Sequence, residues 1–252
     1  MFPVAILAGG LATRLRPITS TIPKSMVMVA GRPFIAWQLD YLRQQGIIDV
    51  IICAGYLGEQ IEDFIGNGAA YGLHVEYSYD GPDLLGTGGA LKQALPLLGD
   101  VFFVFYGDSY LPINFRAVAD EFMRQGKPAL MTVIRNNNQW DKSNVSFDNG
   151  LLIEYNKHSP KLEMAYIDYG LGLVSSRVLS ECSGSEPFDL ADVYCRLSSQ
   201  GQLAGYEVFE RFYEIGSHEG LKEAADYLEL RSSGEMDINP THVNLGETHE
   251  CN

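Results

Sequence analysis

Two adjacent glycines, Gly9 and Gly10, follow the apolar run Val4-Ala5-Ile6-Leu7 and lead within a few residues to Thr13, Arg14 and Arg16, with Pro23-Lys24 close behind. A glycine has no Cβ, so a ligand can reach its main-chain N–H. Arginine and lysine bring positive charge to phosphate oxygens. Clustered at the end of a strand buried on both faces, these residues have the chemistry to hold a triphosphate. The spacing is not that of a P-loop, since no Gly-Lys-Ser/Thr closes the loop, and G-x-G-x-x-G is absent from it. A second suggestive group is Gly107-Asp108-Ser109, directly after the most apolar run, Val101 to Tyr106. A carboxylate at the mouth of a sheet suits a hard cation such as Mg²⁺.

The string Leu7-Ala8-Gly9-Gly10-x-x-Thr13-Arg14-Leu15-x-Pro17 with Pro23-Lys24 resembles the signature of the sugar-1-phosphate nucleotidylyltransferases, also called NDP-sugar pyrophosphorylases. The resemblance implies that Leu7, Ala8, Gly9, Gly10 and Thr13 wrap the nucleotide phosphates. It makes Arg14 and Lys24 catalytic, neutralising the triphosphate and the pyrophosphate leaving group. Asp108, beside Gly107, is then the acid that holds Mg²⁺ against the α-phosphate. Tyr213-Glu214-Ile215-Gly216-Ser217 is similar to the family's aromatic-x-Asp-x-Gly-Thr segment, with Glu214 as second metal ligand where the family usually has Asp. His218 reads as a helix-start residue and not a ligand.

Leu85-Gly86-Thr87-Gly88-Gly89-Ala90-Leu91 resembles the family's segment against the nucleobase and ribose, Gly88 and Gly89 letting the backbone approach the base. Asp80, Tyr106 and Gly107 are expected as further nucleotide contacts. Lys157 looks like the lysine that grips the sugar phosphate, although Asn156 precedes it where the family often has Glu. Ile167-Asp168-Tyr169-Gly170-Leu171 resembles the next sugar-side strand, with Asp168 on a sugar hydroxyl and Gly170 leaving room for the ring. An aspartate inside an apolar strand is costly to bury without a partner, which favours a functional role.

The reaction so implied is NTP plus sugar 1-phosphate giving NDP-sugar plus pyrophosphate, with Mg²⁺ as cofactor. The Leu85–Leu91 segment and the short length look most like the D-glycero-D-manno-heptose 1-phosphate guanylyltransferases. Uridylyl-, thymidylyl- and cytidylyltransferases acting on hexose 1-phosphates stay open, as does a non-catalytic NDP-sugar-binding regulatory subunit. A dinucleotide-dependent oxidoreductase would need a glycine fingerprint that the first loop lacks. No hexapeptide repeats occur, so an appended β-helix domain is not expected.

To bring these groups together the chain must alternate strand and helix. Strands are expected at Val4–Leu7, Val50–Ala54, Leu73–Tyr79 and Val101–Tyr106. Helices are expected from Pro33, closed by Gly46, through Ile61, Phe64 and Ile65, and from the Gly86 turn up to Pro96. That is an α/β, Rossmann-like, doubly wound and mostly parallel mixed sheet, which gathers ligands at its C-terminal strand ends. Further on, strands are expected at Leu130–Arg135, at Tyr166–Val174, and on both sides of the Asp148-Asn149-Gly150 hairpin turn. A helix at Leu190–Ser199, short strands at Leu203–Val208 and Phe212–Ile215, and a Ser217-capped helix to about Arg231 complete the chain. The expected organisation is one catalytic domain, 1–231, with a nucleotide-binding half (1–127) and a sugar-binding half (128–231), followed by a polar tail, 232–252.

The chain has 252 residues and a formal net charge of −14. Such acidity argues against non-specific binding to nucleic acid or anionic membranes. The four cysteines, Cys53, Cys182, Cys195 and Cys251, form no C-x-x-C pair, so neither zinc nor a redox motif is indicated. Cys53 reads as a buried small hydrophobe. The first residues lack a basic stretch and a long apolar run, which gives a cytoplasmic expectation. The partners implied are an NTP and a sugar 1-phosphate, with a homo-oligomer left open.

Overall fold

The computed structural model describes residues 1–182 and 186–234. In chain order the elements are β1 (Val4–Leu7), β2 (Met28–Val29), β3 (Arg32–Pro33), α1 (Phe34–Gln44), β4 (Asp49–Ala54), α2 (Gly58–Ile65), β5 (His74–Tyr79), α3 (Gly86–Leu98), β6 (Val101–Tyr106), β7 (Ser109–Tyr110) and α4 (Phe115–Gln125). There follow β8 (Ala129–Arg135), β9 (Val145–Asp148), β10 (Leu151–Tyr155), β11 (Tyr166–Ser175), α5 (Ser176–Ser180), α6 (Leu190–Ser199), β12 (Leu203–Val208), β13 (Tyr213–Glu214) and α7 (His218–Ser232).

Nine strands form one sheet. β6, β1, β4 and β5 run parallel side by side, with Leu7 opposite both Cys53 and Tyr106. β11 joins antiparallel to β6 and to β8, and β12 adds parallel to β8. The sheet therefore continues without a break from the first half of the chain into the second, making a single domain. β1 connects towards β4 on one side, while β6 lies on its other side. That reversal is the crevice where open α/β sheets bind ligands.

Alternation along the strands builds two cores. Val4, Ile6, Val50, Ile52, Phe103 and Phe105 face one layer with Leu39 of α1, Ile61 of α2, Phe115 and Val118 of α4 and Leu228 of α7. Ala5, Ile51, Cys53, Phe102 and Val104 face the other, with Leu91 and Leu98 of α3, Leu179 of α5 and Val193 and Leu197 of α6. Each Val, Leu, Ile or Phe side chain among them that is removed from water contributes roughly 1.5–3 kcal/mol before the entropy of ordering is counted. These cores hold the strand ends, and hence the loops, in fixed positions.

Several expectations shift. Pro33 is extended (φ −55°, ψ 138°) and pairs in β3, so α1 starts at Phe34, whose N–H goes to Val27 O at 3.0 Å. α3 runs on past Pro96 to Leu98, because a proline in the last turn forfeits a single backbone bond there. The helix α4 was not anticipated, although Phe115, Val118, Ala119 and Phe122 form its buried stripe and Asn114 caps it through the Ala117 N–H. The polar tail, past Gly234, and Cys251 lie outside the described residues. Among the described residues no helix is long and apolar enough to cross a membrane.

Candidate active site

A cavity of about 380 Å³ opens at the C-terminal ends of β1, β4, β5 and β6. That size is within the range of small-molecule sites. Its wall holds Leu7, Ala8, Gly9, Gly10, Thr13, Arg14, Lys24, Asp80, Gly86, Thr87, Tyr106, Gly107 and Asp108, all singled out from sequence. Leu85, Gly88, Lys157, Asp168, Gly170 and Glu214 are not in that wall.

The glycine loop is shaped by close approach of backbones. Gly107 N–H donates to Leu7 O at 2.9 Å, tying the β1 and β6 loops together. A Cβ on Gly9 would lie 3.2 Å from Gly55 N, so the loops after β1 and β4 also touch. Gly10 differs: a Cβ there would meet no protein atom within 4 Å. Its space is the cavity's own. Arg14 sits in a single 3-10 turn, Thr13–Leu15, pinned by fully buried Leu15. Lys24 sits in another such turn, Lys24–Met26.

Lys24 Nζ lies 2.5 Å from Asp108 Oδ2, and Ser109 Oγ donates to Asp108 Oδ1 at 3.2 Å. The Asp108 turn is held from below by Gln38 of α1. Its amide donates to Tyr106 O at 2.9 Å and Ser109 O at 2.7 Å, and the side chain is wholly buried. β13 then pairs with β7, setting Glu214 opposite Ser109, and Ile215 N–H donates to Asp108 O at 2.9 Å. This brings Glu214 beside Asp108. Burial, then the Asp108 charge, raises the Glu214 carboxyl, while Lys24 and Arg14 draw it down. Two neighbouring carboxylates offer the hard oxygen ligands that a divalent cation takes. Among the described residues no set of three or more acidic, His or Cys side chains forms a metal cage. Two carboxylates completed by ligand phosphates and water is the usual Mg²⁺ arrangement. His218 is the first residue of α7, after the Ser217 cap.

At the other end of the cavity Asp80 follows β5, and its Oδ2 accepts the Leu85 N–H at 3.4 Å. Burial pushes its carboxyl up, and that bond holds it down. In the next turn Gly86 lines the cavity, whereas Gly88 and Gly89 serve a protein contact. A Cβ on Gly88 would fall 2.3 Å from the Phe188 ring, and Phe188 O accepts the Gly88 and Gly89 N–H groups at 2.9 and 3.2 Å.

Asp168 lies beside the cavity at a bulge, where the β11–β8 register shifts between Asp168 and Gly172 and Gly170 has φ +103°. Bulges re-aim side chains next to sites. Asp168 Oδ1 accepts the Gly170 N–H at 3.0 Å. Burial raises its carboxyl from 3.8 to about 6, with the Gly170 bond and the Lys157 charge pulling down. Lys157 is thus within electrostatic reach of Asp168. Asn156 spends its Oδ1 on the Ser159 N–H at 2.9 Å, shaping the lysine's turn. Burial, then Asp168, Asp108 and Asp189, drive the Tyr106 phenol far above its usual value. Tyr106 is the residue between the cavity and the Asp168 cluster.

Sequence reasoning missed Gln38 and the pair Phe188 and Asp189. Gln38 had a signal: it is a polar residue on the apolar face with Ile35, Leu39 and Leu42. Asp189 had none, because Asp before a helix reads as an ordinary cap.

An N-acetylmuramate alpha-1-phosphate uridylyltransferase from Neisseria meningitidis is 46% identical over 113 residues, 44% of this chain and 49% of that protein. A D-glycero-alpha-D-manno-heptose 1-phosphate guanylyltransferase from Campylobacter jejuni is 27% identical over 188 residues, 74% of this chain and 82% of that protein. The match to the Neisseria relative thus spans about half of that relative's length. A Bacillus anthracis structure, provisionally described as a glucose-1-phosphate thymidylyltransferase, superposes with a TM-score of 0.80 at 24% identity, over 91% of this chain and 96% of that one. That likeness shows the fold. The nucleotidyl transferase family profile matches residues 4–229. The chain therefore belongs to the nucleotidyl transferase family.

Proposed function

We propose that this protein transfers the nucleotidyl group of an NTP to a sugar 1-phosphate, releasing pyrophosphate. The observation that carries this reading is the convergence of the Gly9-Gly10 loop, Arg14, Lys24 and Asp108 on one cavity. The sugar phosphate attacks the α-phosphorus in line. A phosphate monoester is largely dianionic near neutral pH, so no general base is required. Arg14 and Lys24 offset the triphosphate charge and that of the departing pyrophosphate. Lys157 directs the attacking phosphate, and Asp168 with Gly170 receives the sugar. Asp108 and Glu214 would hold Mg²⁺, which when bound withdraws charge from phosphate oxygens. In this division of labour residues 1–127 supply most of the nucleotide contacts and 128–231 the sugar contacts, in the cytoplasm, where NTPs are supplied.

For the base, guanine is the best fit to Asp80. A carboxylate is acceptor-only. Guanine presents two adjacent N–H donors, whereas uracil and thymine present one N–H flanked by carbonyl oxygens. The manno-heptose 1-phosphate fits the Leu85–Leu91 resemblance and the Campylobacter relative. A uridylyl reading is favoured by the Neisseria relative. The test is pyrophosphate release with Mg²⁺ over ATP, CTP, GTP, UTP and dTTP against a panel of sugar 1-phosphates. One productive pairing establishes the transferase and names both substrates. No release anywhere, with NTP or NDP-sugar still bound, makes the protein a regulatory binder.

A further inference from the structure

Asp189 occupies the cap position of α6 with extended backbone (φ −95°, ψ 144°), yet its side chain makes no cap bond to its own helix. An aspartate there ordinarily accepts an N–H from the first turn of its own helix. Instead Thr87, about a hundred residues earlier in the chain, supplies the cap: its Oγ1 accepts the Leu190 N–H at 2.8 Å. Thr87 N and Oγ1 reach Asp189 Oδ1 at 3.4 and 3.3 Å, both long. Asp189 Oδ2 has no partner among the described residues. The preceding residue fixes this arrangement, since Phe188 N–H donates to Leu85 O at 3.0 Å and Phe188 O takes the Gly88 and Gly89 N–H groups. The helix thus forgoes its own cap, and the freed carboxylate stands at the cavity mouth.

The position says what it could bind. Asp189 lines the cavity with Thr87 and Tyr106. Thr87 opens α3, at the Asp80 end; Tyr106 leads through Gly107 to Asp108, at the phosphate end. A group placed between base and phosphates faces the ribose. A carboxylate beside a triphosphate is repelled by the phosphates and gains hydrogen bonds only from the ligand's N–H and O–H donors. The ribose 2′- and 3′-hydroxyls are such donors, side by side, and an acidic residue takes ribose hydroxyls in dinucleotide-binding sheets too. We propose that Asp189 binds the ribose hydroxyls of the nucleotide and selects ribonucleotides over deoxyribonucleotides. This rests on the reading of the cavity as an NTP site.

The test compares wild type, Asp189→Asn and Asp189→Ala on GTP, 2′-deoxy-GTP and 3′-deoxy-GTP, and on the matching uridine set, with Mg²⁺ and sugar 1-phosphate. Asp189→Asn keeps the size and a Thr87 acceptor, and thermal melting checks the fold. Wild type is expected to prefer the ribonucleotide by about 10- to 100-fold in kcat/KM, as for hydrogen bonds to a charged group. The alanine variant loses that preference, through a fall on the ribonucleotide with little change on the deoxy forms. An unchanged ribo/deoxy ratio in folded variants overturns the proposal. So does a loss confined to KM for the sugar 1-phosphate, which would put Asp189 on the sugar. If wild type turns over no NTP, the transferase reading fails on its own. The ribose inference is then read from calorimetric affinities for GTP and 2′-deoxy-GTP, and stands or falls on their ratio.

Discussion

Lys24 Nζ and Asp108 Oδ2, 84 positions apart in sequence, form a 2.5 Å ion pair on the cavity wall. In the proposed reaction these two groups serve different partners, the leaving pyrophosphate and the Mg²⁺. Their pairing leaves neither of these two charges isolated on the cavity wall. Binding of NTP and Mg²⁺ must replace it. Asp108→Asn is expected to lower kcat on the order of 10²- to 10³-fold and to weaken Mg²⁺ dependence. Stability should move by less than about 2 kcal/mol, because both side chains keep some solvent contact. Steady-state kinetics over a Mg²⁺ titration, beside thermal melting, checks this. Full turnover in the variant would remove Asp108 from the reaction.

Gln38 makes a prediction of another kind. It touches no cavity space, yet both its N–H groups go to carbonyls of the turn that carries Asp108. Gln38→Leu strands two acceptors, one of them fully buried, at roughly 1–3 kcal/mol each. Denaturant unfolding should show a loss of about 2–4 kcal/mol. Turnover should fall with it even in fully folded protein, because Asp108 is no longer fixed. A variant that is destabilised but fully active would make Gln38 a purely structural residue.

The strand ends were legible because each motif is local: an apolar run, a glycine, then the charged residue. β1 into Gly9-Gly10 and β6 into Gly107-Asp108 are written within a few residues, and α6 matched its expected bounds of Leu190 and Ser199. What stayed hidden was carried by distant pairing. Asp108 and Glu214 were expected as a pair, but the β7–β13 ladder that brings them together was not: it joins residues about a hundred positions apart, with two residues on each side. Thr87 looked like a nucleotide contact, and it lines the cavity. Its hydroxyl, however, is committed to Leu190 and Asp189. α4, by contrast, is local: its stripe of Phe115, Val118, Ala119 and Phe122 stands in the sequence at helical spacing.

Two glycine substitutions separate site from scaffold. Gly10→Ala adds a methyl where no protein atom lies within 4 Å, so melting should change little, within about 0.5 kcal/mol. NTP binding should weaken, because the methyl enters ligand space. Gly88→Ala drives a methyl into the Phe188 ring and should cost about 1–3 kcal/mol. Phe188→Ala in the same chain should recover part of that cost, a coupling visible in a double-mutant cycle. Additive losses would mean that the contact does not constrain Gly88.

Asp168 ties stability to pH. Its carboxyl titrates near 6 in the fold, against 3.8 when unconstrained, chiefly because of burial. The folded state therefore binds its proton more tightly than the unfolded chain. This term is neutral below the unfolded value and becomes a penalty as pH rises through the folded one. Between about pH 4 and pH 6 the penalty grows to roughly 2–3 kcal/mol and then stays level. Asp168→Asn keeps an acceptor for the Gly170 N–H and removes the charge. Its unfolding free energy should match wild type near pH 4 and exceed it at pH 8. Its KM for the sugar 1-phosphate should rise, since the hydroxyl acceptor is weakened. Parallel stability curves for the two proteins across that range would show that Asp168 is solvated in the fold, and an unchanged KM would mean that the sugar contact needs another residue.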